Sequence, residues 1–213
     1  MKTDELVSLL AASATSVHPA TGARRLGVAL GWGGLGAALL MSVTFGVRSD
    51  LGALALLPMF WTKLAFTASL AVMGSFAVER LSRPGMRLGG VWVGLVVPVL
   101  LMWLVGSWEF ASAEPAQRQA LVLGRNWASC LLRITLVSLP VLVSVFWAMK
   151  GLAPTRLALA GAAAGLLAGA VGGFVYAFHC HEMAAPFVGI WYLGSMALLA
   201  LVGSLLGPRL LHW

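Results

Sequence analysis

The chain has 213 residues, 60% of them hydrophobic and only 10% charged, with a formal net charge of +7. A soluble domain carries about 25% charged residues, so the composition excludes an ordinary water-soluble fold and points to an integral membrane protein. The basic residues are scattered through short segments without forming a stripe, which argues against direct nucleic-acid binding and leaves topology and contact with anionic lipid as the meaning of the charge.

The first 25 residues, MKTDELVSLLAASATSVHPATGARR, precede the first long apolar run. They lack the basic start and short apolar core of a cleavable signal, so they read as part of the mature protein. Thr3 is placed to cap a helix whose first turn carries Asp4 and Glu5, where negative charge suits the helix dipole. Leu6, Val7, Leu10 and Ala14 recur at helical spacing with Leu9 alongside, and His18-Pro19 ends the run. So short a helix is marginal alone in water. It fits either a recognition helix that lays its apolar side into a partner's groove or a leader resting on lipid.

Six charge-free windows follow, at 26–47, 64–78, 88–108, 134–149, 157–181 and 183–208. A helical span needs about 20 apolar residues, and the two short windows reach that length if Lys63 and Arg133 snorkel to an interface. Strand-like alternation is absent, and backbone groups in hydrocarbon must be satisfied internally. The expected fold is therefore all-α: a polytopic six-transmembrane-helix bundle over 26–208, a short cytoplasmic amphipathic segment at 1–25, and a tail at 209–213. Loops are expected around 48–59 and 109–127. With the N-terminus inside, nine Lys and Arg fall on the inner side and five on or near the outer, which is expected to place both termini in the cytoplasm.

Glycines recur four apart at Gly161, Gly165, Gly169 and Gly173, with Gly27/Gly31 and Gly90/Gly94 repeating the spacing. Such faces let helices approach closely, within one bundle or in a homo-oligomer that nothing else supports. Pro98 and Pro140 fall inside spans and should kink them, whereas Pro58, Pro154 and Pro186 lie near span starts.

No HExxH, GxSxG, Walker loop or CxxC motif is present, so no catalysis is expected. The reactive residues gather instead in YAFHCHE, residues 176–182, at the outer end of the fifth span. The other cysteine, Cys130, lies near the outer start of the fourth, so both thiols should sit at similar depth facing an oxidising compartment. Arg133, three residues on, is placed to favour the Cys130 thiolate and make it the more reactive thiol. Cys130, Cys180, His179 and His181 would supply two sulfurs and two nitrogens to a soft metal, provided the helix ends near Phe178. A structural disulfide, or two unrelated buried cysteines, accounts for the same residues.

The C-terminal third from GLAPTRLALAG to LLHW, with YAFHC before an acidic residue, FVGIWY and the closing LLHW, resembles the NrsF-type membrane anti-sigma factors. TDELVSLLA and the single cysteine of the fourth span agree with it. The resemblance implies a six-span negative regulator of an extracytoplasmic-function sigma factor, held in the lipid bilayer. Its partner would be bound through Asp4, Glu5, Leu6, Leu9 and Leu10. Cys130 and Cys180 would sense heavy-metal or oxidative stress, with no obligatory cofactor and a heavy-metal ion only as a transient visitor. From another class, a small metal or solute transporter using the same Cys/His cluster is the alternative, and a polar path through the bundle would favour it.

Overall fold

The computed structural model describes residues 3–5, 7–8 and 21–212. Residues 3–5 and 7–8 are helical and exposed, so Thr3 lies in the helix it was expected to cap. Asp4 and Glu5 are accessible there, and the Ser8 hydroxyl donates to the Glu5 carbonyl at 2.9 Å. Leu6, Leu9 and Leu10 lie outside the described residues.

The rest of the described chain is helical: α1 (Thr21–Thr44), a single turn α2 (Leu51–Leu54), α3 (Pro58–Leu81), α4 (Val91–Ser112), α5 (Pro115–Leu123), α6 (Trp127–Met149), α7 (Leu157–Tyr176) and α8 (Ala185–Leu210). Six helices are long and apolar enough to cross a membrane, with α5 and α6 counted as one. The all-α bundle expected from the charge-free windows is therefore present. The expected 109–127 loop instead contains α5, which is separated from α6 at Gly124, where φ is +55°. Pro58, Pro115 and Pro186 occupy first turns, where the missing N–H costs nothing, while Pro98 and Pro140 lie inside α4 and α6.

α7 is the centre. It packs on α8, α3 and α6, and more lightly on α1; α1 leans on α6, and α4 is peripheral, touching α3 and the start of α8. The cause is side-chain size. Lipid tails are as apolar as leucine, so helices in a membrane gain little from hydrophobicity and associate through close van der Waals contact. α7 is mostly Ala and Gly, and most of its length is buried. A side chain added at Gly161 would strike the Gly203 carbonyl of α8, one at Gly165 the Leu199 carbonyl, and one at Gly169 the Cα of Met196 at 2.8 Å. The expected glycine face of the fifth span is thus the α7–α8 seam. Gly172 serves a second neighbour, lying against Ser138 of α6.

In the other two glycine pairs only Gly94 is packed, where an added side chain would strike Met73 of α3. A methyl group placed on Gly27, Gly31 or Gly90 would meet nothing within 4 Å, and the glycines that bring α1 against α6 are Gly33 and Gly36, facing Val141 and Pro140. Spacing alone did not distinguish the packed face of α1 from its open one. At the end of the bundle where α1 begins, the Arg25 guanidinium lies 5.1 Å from the Trp147 ring centroid and donates to the Trp147 carbonyl, pinning α1 to α6.

Gly165→Val should destabilise the bundle by about 3 kcal/mol or more, the upper end of overpacking costs, because the obstacle is a backbone carbonyl that cannot rotate away. Gly27→Ala should be neutral. Thermal unfolding of the two variants in detergent, read beside the parent, checks the contrast.

Candidate functional site

The segment between α7 and α8, residues 177–184, crosses one end of the bundle, and almost every neighbouring element holds it. After Tyr176 the helix gives way to a turn in which the His179 and Cys180 N–H groups both return to the Tyr176 carbonyl at 3.0 Å. Arg48, beyond the end of α1, donates its backbone N–H to the Phe178 carbonyl and its guanidinium to the Cys180 carbonyl, each at 3.3 Å. The same guanidinium pairs with Asp50, and its hydrogen bonds hold that carboxyl down at about 2. From α4, the Glu109 carboxylate accepts the Ala185 N–H at 2.8 Å and so caps α8. From the α5–α6 corner, the Arg125 N–H donates to the Glu182 carboxylate at 2.9 Å. Gly124 makes that last contact feasible, because its φ is positive and a Cβ there would lie 2.9 Å from the Glu182 carboxyl carbon.

Lys63 supplies the fourth tie. It was expected to snorkel to the interface, but its side chain is 0% exposed. Its ammonium turns inward and donates to the Glu182 carbonyl at 2.8 Å and the Cys180 carbonyl at 3.5 Å, with the Tyr192 ring centroid 5.2 Å away. A bare ammonium in so dry a place would cost on the order of several kcal/mol, and the loop carbonyls offset that cost. Snorkelling fails here because the chain itself delivers acceptors to the amine, so water is not needed.

The two cysteines meet beneath this loop. Both are free and 4% exposed, and they are close enough for the Cys130 thiol to hydrogen-bond to the Cys180 sulfur. That bond, aided by the Lys63 ammonium and opposed by burial, holds the Cys180 thiol well below its ordinary range. The Tyr192 hydroxyl is buried near the same sulfur and has no hydrogen-bond partner. Tyr192 reaches this position from the last residue of a π-helical turn, Val188–Tyr192, inside α8. The turn is braced on both sides: the Gly189 carbonyl accepts from the Trp103 indole at 2.9 Å, and the Trp191 indole donates to Val122 at 2.7 Å while stacking on Trp127.

Two sequence expectations need correction. Arg133 was expected to activate Cys130, but its guanidinium lies over the Phe45 ring at 5.1 Å and donates to His179 Nε2 at 3.4 Å. The cation beside the thiols is Lys63, and the favoured thiolate is Cys180. The four-residue metal set of Cys130, Cys180, His179 and His181 is not assembled either. Among the described residues no group of three or more His, Cys, Asp or Glu side chains is arranged to hold a metal ion. The helix does end before His179, as that set required, but the His179 ring is engaged at both nitrogens. Nδ1–H donates to the Gly46 carbonyl at 2.9 Å, and Nε2, the remaining lone pair, accepts from Arg133.

Above the thiols a cavity of about 280 Å³ opens between Arg125, Ser129, Arg133, His181 and Glu182. A small reagent can therefore reach buried sulfurs from one end of the bundle. The arrangement suits thiol chemistry: one thiol that a hydrogen bond biases toward ionisation, a second that donates that bond, and a path inward. Sequence reasoning missed Lys63, Arg48, Glu109, Gly124 and Tyr192. A lysine bounding an apolar window was the one visible signal among them.

Treating the purified protein with diamide, which takes two electrons and two protons from a thiol pair, should join Cys130 and Cys180 within one chain. Mass spectrometry should show the linked peptides and loss of both alkylation sites, with no disulfide-linked dimer on a non-reducing gel. Dimers as the principal product would show that the thiols are not neighbours.

Residues 10–213 match the family described as NrsF, negative regulator of sigma F. The chain is 50% identical over 213 residues to the probable anti-sigma-F factor NrsF of Azospira oryzae, and 38% identical over 214 residues to the anti-sigma-F factor NrsF of Caulobacter vibrioides, with all of each chain covered. No solved structure matches. Homologues named as anti-sigma factors are regulatory rather than catalytic proteins, in agreement with the missing catalytic motifs. With its whole bundle and its thiol pair inside the matched residues, the chain belongs to the NrsF family of negative regulators of sigma F.

Proposed function

We propose that the protein is a membrane anti-sigma factor that holds an extracytoplasmic-function sigma factor at the bacterial inner membrane and releases it when Cys130 and Cys180 react with an oxidant or a heavy-metal ion. The observation that carries this reading is the proximity of the two thiols under a loop tied to most of the bundle, in a chain whose relatives are named anti-sigma-F factors. Both termini lie in the cytoplasm, residues 1–25 dock the partner, residues 26–208 are the transmembrane domain, and 209–213 form a tail. No resident cofactor is required, since the metal ion is the stimulus.

The proposed receiver is the N-terminal segment. It enters α1 at the end of the bundle opposite the thiols, about 36 Å away for a helix of 24 residues. Asp4 and Glu5 are exposed on the helical part of this segment, and Leu6, Leu9 and Leu10 supply the apolar side for a groove on the partner. A disulfide or a bridging metal at Cys130 and Cys180 would change the spacing of α6 and α7, and α7 would carry the shift through the α7–α8 seam. Transport is the weaker reading. Below the thiols the interior is Ile134, Val137, Val141, Val145 and Leu167, and the buried hydroxyls of Thr67, Ser138 and Ser195 are each taken up by a carbonyl of their own helix.

Capture from detergent-solubilised membranes tests the partner. The parent should retain a sigma factor, and a chain lacking residues 1–20 should lose it. Leu6→Glu and Leu10→Glu should weaken the hold roughly tenfold to a hundredfold, from about 1.5–3 kcal/mol of lost burial, with insertion unchanged. Undiminished capture by all three would remove the docking role. Reporter fusions after Arg87 and at Trp213 should behave as cytoplasmic, and one within 112–119 as external.

Cys130→Ser and Cys180→Ser should each keep the sigma factor bound while abolishing induction by cadmium or oxidant. Normal induction in the double variant would return the pair to a structural role.

A further inference from the structure

Lys63 is an unusual residue to find wholly buried in a spanning helix. It sits on the second turn of α3 with no exposed surface, held by the Glu182 carbonyl at 2.8 Å, the Cys180 carbonyl at 3.5 Å and the face of Tyr192. Carbonyl dipoles and an aromatic ring solvate a cation but do not neutralise it. Among the described residues no carboxylate pairs with Lys63, since the ion pairs formed there are Arg48–Asp50 and Arg83–Glu79. The Lys63 amine bonds the carbonyl of Cys180, whose side chain lines the cavity together with that of Cys130. A cation this deep is stabilised by an anion beside it, and the cysteine sulfurs are groups there that can supply one.

We propose that Lys63 is the positioning residue of the thiol site: its ammonium is the fixed counter-charge that keeps one negative charge on the Cys130–Cys180 pair, with Cys180 as the attacking sulfur. The geometry divides the roles. Cys130 is the hydrogen-bond donor to the Cys180 sulfur, the unpartnered Tyr192 hydroxyl is buried near that sulfur, and Lys63 fixes the backbone of Cys180 through its carbonyl. An electrophile arriving through the cavity above is attacked by the Cys180 electron pair, and Cys130 remains as the second thiol. Capture of that electron pair removes the charge that Lys63 balances, so the amine itself then favours a rearranged loop. This deepens the sensor reading and rests on it only for its biological use, because the chemistry can be read on purified protein without a sigma factor.

The test uses the full chain in detergent and N-ethylmaleimide at pH 7, with label at Cys180 quantified by mass spectrometry. In this reaction the Cys180 sulfur adds across the maleimide double bond and the second carbon takes a proton from water. Lys63→Met should slow labelling about tenfold, since the gain in thiolate fraction conferred by a lowered thiol pKa is partly offset by reduced nucleophilicity. Lys63→Arg, which keeps the charge, should stay within about threefold of the parent. A lysine that merely clamps the loop predicts the opposite sign, because its loss would expose Cys180 and speed labelling. Labelling of Lys63→Met at the parent rate or faster would therefore overturn the proposal. Should that variant fail to fold, the parent alone decides: its absorbance near 240 nm should fall on alkylation by the amount of one thiolate per chain, and no fall would overturn the proposal equally. Either result leaves capture of a sigma factor by the N-terminal segment untouched, so the two readings fail separately.

Discussion

A buried amine at the end of a membrane helix must be met by oxygen or sulfur, and that requirement organises the cysteine-bearing end of this bundle. Lys63 is met by the carbonyls of Cys180 and Glu182, which the chain can present because α7 stops at Tyr176 and leaves an irregular segment with free carbonyls. Non-helical backbone at such a depth is tolerated only where its polar groups find partners within the protein. Arg48, Glu109 and the Arg125 N–H supply the other partners. The loop over the thiols is thus a junction in which the segment after α1, α3, α4 and the α5–α6 corner each have a polar stake.

The other end of the account is the α7–α8 seam. Glycine on both sides brings backbone against backbone, with Gly161 facing Gly203 and Gly207, so the two helices have little room to yield independently. Closely packed interiors are bistable rather than softly deformable. In the proposed switch, a displacement begun at the loop is carried by this pair over the roughly 30 Å of a 20-residue helix without being absorbed on the way. The coupling needed is modest, about 1–3 kcal/mol, which corresponds to a severalfold to hundredfold change in affinity. A partner held by one short apolar helix is well suited to release on that scale, because its affinity rests on a few buried side chains.

The number and order of the spans were legible because hydrocarbon imposes one simple constraint, about 20 apolar residues per crossing. That Cys130 and Cys180 lie at the same end of the bundle, where they line one cavity, was legible from depth and from the short connection between their helices. Legibility ended where side chains choose among partners in three dimensions. Lys63 looked like an interfacial lysine because a one-dimensional reading sees the apolar run beside it and not the loop that folds over it. Arg133 looked like the neighbour of Cys130 because helical spacing brings them together, yet Phe45 and His179 from distant segments draw its guanidinium away. His179 looked like a ligand until both its nitrogens proved to be occupied. The glycines of α7 and of α1 have the same spacing, and only the neighbours decide that one set is packed and the other open.

In the proposed switch, the chemical state of two sulfurs at one end of the bundle sets the hold on a partner at the other. Its most direct measurement is the affinity of the purified sigma factor for the protein in lipid nanodiscs, with Cys130 and Cys180 reduced and then joined by mild oxidation. Binding should be at least fivefold weaker in the oxidised protein and restored by reduction. Equal affinity in the two states, with the disulfide verified, would contradict it.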